Sequence, residues 1–285
     1  MANCKDILCD CLKRVAKEQK YENCSITTKA ISSGGANYTS ALYLATIQAP
    51  GKEDLKLFAK VAAVGEKIRA IEPHKIYETE SLFYNYLLKK YKELEERNNI
   101  PAEYRFVTPK YYGGSDEYLK ETFIFEDLTA RGFTTHDRFK SIDWEYASKA
   151  IENLARFHAL SIAFSVEDPE EFKGINILKD HSDIQKYFDK TFDYYYDELC
   201  KALKRFGLDP EGLYSREDFD IEVKKVLPLG LVQATFCLLI VTVEKDEAPQ
   251  MNQDIAIEDF VVNPNTLYTE RLNDIVDDYI KMGII

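Results

Sequence analysis

The sequence predicts an α+β fold, a small antiparallel sheet carrying one helix and joined to a mainly helical second part. Three observations lead there. Strand-like stretches from Ala41 to Gln48 and from Leu55 to Val64 flank Pro50-Gly51, which is the pattern of a hairpin. A second pair of short apolar stretches falls between Val107 and Asp127, after one helical segment. From Asp143 onward the apolar residues recur at helical rather than strand spacing.

The 285 residues fit one large or two modest domains. With 45% apolar and 30% charged residues the composition is globular, which excludes a collagen-like or wholly disordered chain. Glycine and proline are scarce, at 12 and 9 residues, so loops should be few. The net charge of −12 repels phosphate backbones and anionic lipid, so no nucleic-acid partner and no membrane partner is expected. Ten acidic against three basic residues lie between Val241 and Ile285, and a solvated acidic face is a plainer reading of them than a partner-binding tail. None of the six cysteines forms a Cys-x-x-Cys pair, so zinc is not expected. The first residues lack the apolar run of a signal peptide, so a cytoplasmic location with reduced thiols is expected.

Taken in order, Leu8, Cys11, Leu12 and Val15 follow helical spacing and predict an opening amphipathic helix. The hairpin comes next, and then a helix from Ile76 to Glu96 with Ile76, Phe83 and Leu87 on one stripe. Glu80 falls in that stripe, and a carboxylate there needs a cationic partner. Asn98-Asn99-Ile100-Pro101 ends the helix. Tyr111-Tyr112-Gly113-Gly114 reads as a turn, and Thr122 to Phe125 as a strand of a second hairpin. Thr129 to Lys140 is polar and basic and suits a connector, so domains of residues 1–128 and 129–285 are expected.

Asp143 suits the N-cap of a helix through Phe164 in which Ala147, Ile151, Leu154, His158 and Ile162 share a face. His158 is read there as a hydrogen-bonded structural residue. A further helix should run from Ser182 to Phe206 and stop at Gly207. Val226 to Val243 carries no charge over eighteen positions, at the lower edge of a membrane span. Pro228, Gly230, Gln233, Thr235 and Thr242 interrupt it, which favours a buried helix. Leu272, Ile275, Val276, Tyr279 and Ile280 predict a terminal amphipathic helix.

For chemistry, Lys60 stands in the second predicted strand and Glu80 in the helix that follows. Paired, they would explain the inward carboxylate and fix an ammonium where it could hold a nucleotide's phosphates. Taken alone this is a weak signal, since a lysine on a short strand is usually a snorkelling surface residue. Ser32 to Ser40 contains Gly34-Gly35 and Asn37, where glycines would let backbone N–H groups approach phosphate, although an ordinary turn has the same look and no Walker motif is present. The order of the parts is more specific: a glycine-bearing loop, a strand, a strand with lysine, a helix with an inward glutamate, then strands ending in Phe125-Glu126-Asp127-Leu128. It is the order of a protein-kinase-like two-lobe fold, with a small antiparallel-sheet N-lobe and a hinge whose backbone would meet an adenine edge.

Gly34-Gly35-Ala36-Asn37-Tyr38, Leu57-Phe58-Ala59-Lys60-Val61, Glu78 to Tyr84, Phe125 to Leu128 and Leu154-Ala155-Arg156-Phe157-His158-Ala159 together resemble the ecdysteroid kinase-like family. The likeness extends through Tyr194 to Leu199, Arg205 to Leu208 and Asp218-Phe219. It implies a choline-kinase-like fold, ATP as cofactor, and phosphorylation of a hydroxyl on a small molecule such as a steroid conjugate. The implied nucleotide-binding residues are Gly34, Gly35, Asn37, Lys60, Glu80, Glu126 and Leu128.

One part of the family pattern is missing. Its catalytic loop reads His-Gly-Asp with Asn five residues on, and its metal motif begins Asp-Phe-Gln or Asp-Trp-Gln. The four histidines here precede Lys75, Asp137, Ala159 and Ser182, and Asp218-Phe219 and Asp259-Phe260 are followed by Asp220 and Val261. The nearest imitation, His181-Ser182-Asp183, has Phe188 where Asn would stand. The expectation is therefore an incomplete helical C-lobe that lacks a catalytic segment, with the junction between Glu167 and Ser182. No catalytic residue is assigned, Mg²⁺ is left without its ligands, and little or no kinase activity is expected. A non-catalytic nucleotide-binding or interaction protein is the alternative, and a membrane-associated helical protein a third reading. Apolar surface left by the missing segment would favour self-association.

Overall fold

The computed structural model describes residues 4–32, 37–70, 75–175, 188–244, 247–248 and 261–285. It divides into two compact units. The first comprises Met1–Asn85, Thr108–Asp137 and Ile240–Pro264, and the second Tyr86–Val107, Arg138–Leu239 and Asn265–Ile285.

In the first unit, helix α1 (Cys4–Glu18) precedes strands β1 (Ser25–Ile31), β2 (Ser40–Gln48) and β3 (Leu55–Ala62), a short helix α2 (Glu66–Arg69) and α3 (Ile76–Leu82). Strands β4 (Tyr111–Ser115) and β5 (Thr122–Glu126) complete an antiparallel sheet of order β1-β2-β3-β5-β4. The expected hairpin is β2–β3, with Gly51 at φ +73° in its turn. Strand β1 was not among the expected elements. Its sequence SITTKAI is polar and half exposed, as befits an edge strand, so its apolar alternation is faint.

The two-residue period of β3 sends its side chains to two cores. Leu57, Ala59 and Val61, with Ala45, Ile47 and Ile124, pack under α1 against the buried Leu8, Cys11, Leu12 and Val15, so the opening helix is as expected. On the other face Ala62, Phe123 and Phe125 pack with Tyr77 and the half-buried Phe58, Tyr84 and Tyr111. Lys60 follows that second alternation.

Two expectations need correction here. The Tyr-Tyr-Gly-Gly segment is not a turn but lies within β4, bulged between Tyr111 and Gly113. Gly114 is required there because a Cβ would lie 1.7 Å from the Thr122 carbonyl oxygen on β5. The turn is made instead around residues 117–120, where the Lys120 N–H donates to the Glu117 carbonyl and Leu119 adopts φ +64°. Ile76 is also outside the buried stripe of its helix. It is 38% exposed, and Tyr77 is buried in its place.

A π turn over Phe83–Leu87 leads from α3 into α4 (Leu88–Arg97), the first helix of the second unit. There α5 (Trp144–Glu167) is capped by Asp143, whose Oδ1 accepts the Tyr146 N–H at 2.8 Å. After α6 (Pro169–Lys173) come α7 (Phe188–Arg205) and α8 (Pro210–Leu213), then α9 (Arg216–Thr242), of which residues 216–239 belong to this unit, and α10 (Thr266–Lys281). The start expected for α7 at Ser182 lies outside the described residues. Its end is as expected: Gly207 takes φ +71°, and the Leu208 N–H closes onto the Leu203 carbonyl at 3.1 Å.

The buried face of α5 differs from the one expected. Ala155, Ala159 and Ala163 are fully buried, while Ile151, Leu154, His158 and Ile162 are only half-buried. Ala155 and Ala159 let α7 approach closely, and Leu199, Ala202 and Leu203 fill the seam. His158 shares a 2.6 Å hydrogen bond with the Tyr195 hydroxyl.

The uncharged run from Val226 to Val243 is helical through Pro228, as part of α9, but it is not a buried helix. One side packs on α10 through Leu238, Ile275 and Tyr279, and the Tyr279 hydroxyl donates to the Leu227 carbonyl at 2.8 Å. Val232 and Phe236 are 64% and 62% exposed. Among the described residues α9 is the one helix long and apolar enough to cross a membrane.

Candidate nucleotide-contacting site

In register Lys60 lies between Leu42 on β2 and Phe123 on β5, and its side chain leaves the sheet on the face covered by α3. Glu80, one turn before the π segment, meets it there. The Lys60 ammonium donates to Glu80 Oε1 at 2.6 Å and to Oε2 at 2.8 Å. The side chains retain 24% and 18% exposure, so the pair is partly dry yet reachable. With two of its N–H donors directed at Glu80, the ammonium keeps a third for another anion.

Aromatic rings stiffen this corner. Phe123 lies 5.9 Å from the Lys60 ammonium, and Tyr84 stacks on Tyr111 at 5.2 Å and meets Phe125 edge-on at 4.8 Å. Burial pushes the Tyr84 hydroxyl up from its ordinary value and that of Tyr111 to about 12, so both stay neutral.

The hinge segment, Phe125 to Leu128, begins on β5 two residues beyond Phe123, an offset of about 7 Å from the point opposite Lys60. Its backbone is tied down. The Glu126 N–H donates to the Lys110 carbonyl at 2.9 Å and the Asp127 N–H to that of Lys56 at 3.1 Å. The Leu128 carbonyl accepts the N–H groups of Arg131 and Phe133. Among the described residues the Leu128 N–H has no hydrogen-bond partner, which leaves it open to a ligand. The Glu126 carboxylate accepts the Lys110 N–H at 2.8 Å and Arg131 at 2.7 Å, and these bonds hold it below the usual glutamate range. Asp127 caps the turn that follows, accepting from both the N–H and the hydroxyl of Thr129.

The remaining sequence candidates are placed differently. The Asn37 amide donates to the Ser40 carbonyl at 2.5 Å and so closes its own loop. Gly34 and Gly35 lie outside the described residues. Sequence reasoning missed one contributor, the buried pair of Arg69 and Glu121, whose side chains are 8% and 5% exposed. The guanidinium also donates to the Val64 carbonyl at 2.9 Å and lies between the rings of Tyr77 and Tyr118. It anchors the approach to α3, and thereby Glu80, to the start of β5. The partners are 52 positions apart, so no local pattern signals them.

Among the described residues no three His, Cys, Asp or Glu side chains gather as a cation site.

An open antiparallel sheet with a strand lysine clasped by a helix glutamate, followed by a tied hinge, defines a kinase-like fold. The model of the ecdysteroid kinase-like family matches residues 34–227, about two thirds of the chain, and the chain belongs to that family. The family is one of kinase-like small-molecule phosphotransferases. No curated protein and no solved structure matches the chain.

Proposed function

We propose that this chain is a kinase-derived nucleotide-binding protein in which phosphoryl transfer is absent or severely reduced. The observation that carries this reading is the Lys60–Glu80 pair, whose ammonium is held by both carboxylate oxygens. In family terms its partners are nucleotide phosphates, with the base at the Leu128 N–H. ATP fits these residues, the hinge orienting the base and Lys60 offsetting phosphate charge. The net charge of −12 supports a small-molecule ligand over nucleic acid, and a cytosolic setting suits the six free thiols.

Transfer to a hydroxyl needs more than this. A carboxylate must orient the hydroxyl and take its proton, and further ligands must hold Mg²⁺ against the phosphates. The sequence contains no His-Gly-Asp and no Asp-Phe-Gln or Asp-Trp-Gln. Loss of one preorganised contact of this kind commonly lowers rate by about 10²–10³.

Thermal-shift titration tests the binding half. ATP should stabilise the full chain with or without Mg²⁺, and Lys60→Ala should abolish the shift; no shift with wild-type protein refutes the proposal. The catalytic half is tested with hydroxylated steroids and radiolabelled ATP, where no transfer is expected. Family membership alone supports an active kinase, and turnover that disappears in Lys60→Ala would establish that reading instead.

A further inference from the structure

The C-terminal half of α1, its connection to β1 and the start of β1 enclose a recess of about 590 Å³. It lies on the α1 side of the sheet, whereas Lys60 projects from the other side. Its inner wall is apolar, made by the buried Ala16 and the half-buried Cys9, Cys24 and Ile26. Lys13, Lys17 and Lys20 stand at its rim against a single lining carboxylate, Glu22. In a chain of net charge −12 this is a local reversal of sign.

Lysines near a helix C-terminus offset the helix dipole, and that would account for Lys17. It favours the Lys20 ammonium as well, but gives no reason for a residue other than glycine at that backbone position. The Lys20 N–H bonds the Lys17 carbonyl at 3.1 Å and the Tyr21 N–H bonds that of Ala16 at 2.8 Å, so Lys20 occupies the left-handed stop of the helix. Its φ is +58°, at a position where glycine is favoured. A strained backbone thus carries an ammonium at the rim of the recess. Lys13 is neutralised by Asp10 at 2.9 Å, whereas among the described residues the ammonium groups of Lys17 and Lys20 have no partner. The volume is that of an ordinary small-ligand pocket.

We propose that this recess is a second ligand site, distinct from the nucleotide site, that binds an amphipathic anion. Lys17 and Lys20 hold a carboxylate or phosphate head, and an aliphatic body lies along Ala16, Cys24 and Ile26.

Cys9 and Cys24 report on occupancy. Their alkylation by N-ethylmaleimide is followed by peptide mass spectrometry in the full chain, with decanoate below its micellar concentration as probe and Cys200 as internal reference. Decanoate should slow labelling of both thiols by about fivefold, the effect of roughly 1 kcal/mol of local occupancy, without slowing Cys200. Decan-1-ol, which lacks the charge, and inorganic phosphate, which lacks the chain, should protect much less. The double substitution Lys17→Glu with Lys20→Glu should remove the protection. Lys20→Gly should raise Tm while weakening protection, a pairing that a purely structural lysine does not produce. No protection by decanoate, equal protection by decanol or phosphate, or protection surviving either substitution overturns the proposal.

Discussion

The Lys60–Glu80 pair should be worth a measurable but modest amount of stability. At 2.6 and 2.8 Å the gross attraction is several kcal/mol at an effective dielectric of about 20. Desolvation of both ions and lost side-chain freedom offset most of it. With exposures of 24% and 18% the pair lies between an exposed bridge, worth up to about 1 kcal/mol, and a buried one whose breakage costs about 3–5 kcal/mol. A net coupling of about 1–2 kcal/mol follows from that interpolation. Urea denaturation of wild type, Lys60→Met, Glu80→Gln and the double variant closes the cycle. ATP titrations of the same four proteins should show near-complete loss in Lys60→Met. In Glu80→Gln affinity should fall about tenfold, or about 1.4 kcal/mol, because the ammonium keeps its charge but loses its clamp. Additivity within about 0.5 kcal/mol would refute the coupling. Unchanged ATP affinity in Glu80→Gln would refute the clamp.

The Arg69–Glu121 pair is far drier, so Arg69→Leu or Glu121→Leu alone should cost about 3–5 kcal/mol in chemical denaturation. The double variant should recover much of that loss, and a double variant no better than the worse single one would contradict the account. Glu126 has its folded pKa depressed by the Lys110 N–H and by Arg131. Its stabilising effect should therefore be fully present above the ordinary glutamate pKa of about 4.3 and fade as pH falls through the lower folded value. Urea midpoints between pH 6 and pH 3 should fall less steeply for Glu126→Gln, and parallel curves would remove Glu126 from the explanation. The exposed Val232 and Phe236 should promote self-association, so sedimentation should show a concentration-dependent mass that falls to the monomer in Val232→Ser with Phe236→Ser. A wild-type monomer at every concentration would count against that role.

Local sequence carried the β2–β3 hairpin and the central ion pair well. Pro50-Gly51 between two β-rich stretches marks the hairpin, and Glu80 on an otherwise apolar stripe asks for a cation that only a nearby strand could supply. Features set by distant neighbours were not readable. Gly113-Gly114 looks like a turn because nothing local reveals that the Thr122 carbonyl stands where a Cβ would go. The buried face of α5 is set by how closely α7 approaches, so small alanines took the place expected for Ile151 and Leu154. The uncharged run in α9 is as helical as expected, but burial depends on what packs beside it: Leu238 packs on α10, whereas Val232 and Phe236 stay exposed.

The alanine seam of α5 carries a consequence for mutational tolerance. Ala155 and Ala159 are 0% exposed and face α7 at close range. Most core positions fail when side-chain volume is lost. These two have almost none to lose, so harm there comes from gain. Of the residues reachable from alanine by a single base change, only glycine adds no bulk, and it weakens the helix instead. Serine adds one hydroxyl that can bond the carbonyl of the preceding turn, whereas valine and threonine would force the two helices apart, aspartate and glutamate would bury a charge, and proline would break the helix. The second unit is thus most fragile at its smallest side chains, and a library of random point variants should be depleted there more deeply than at the larger half-buried Ile151 and Leu154.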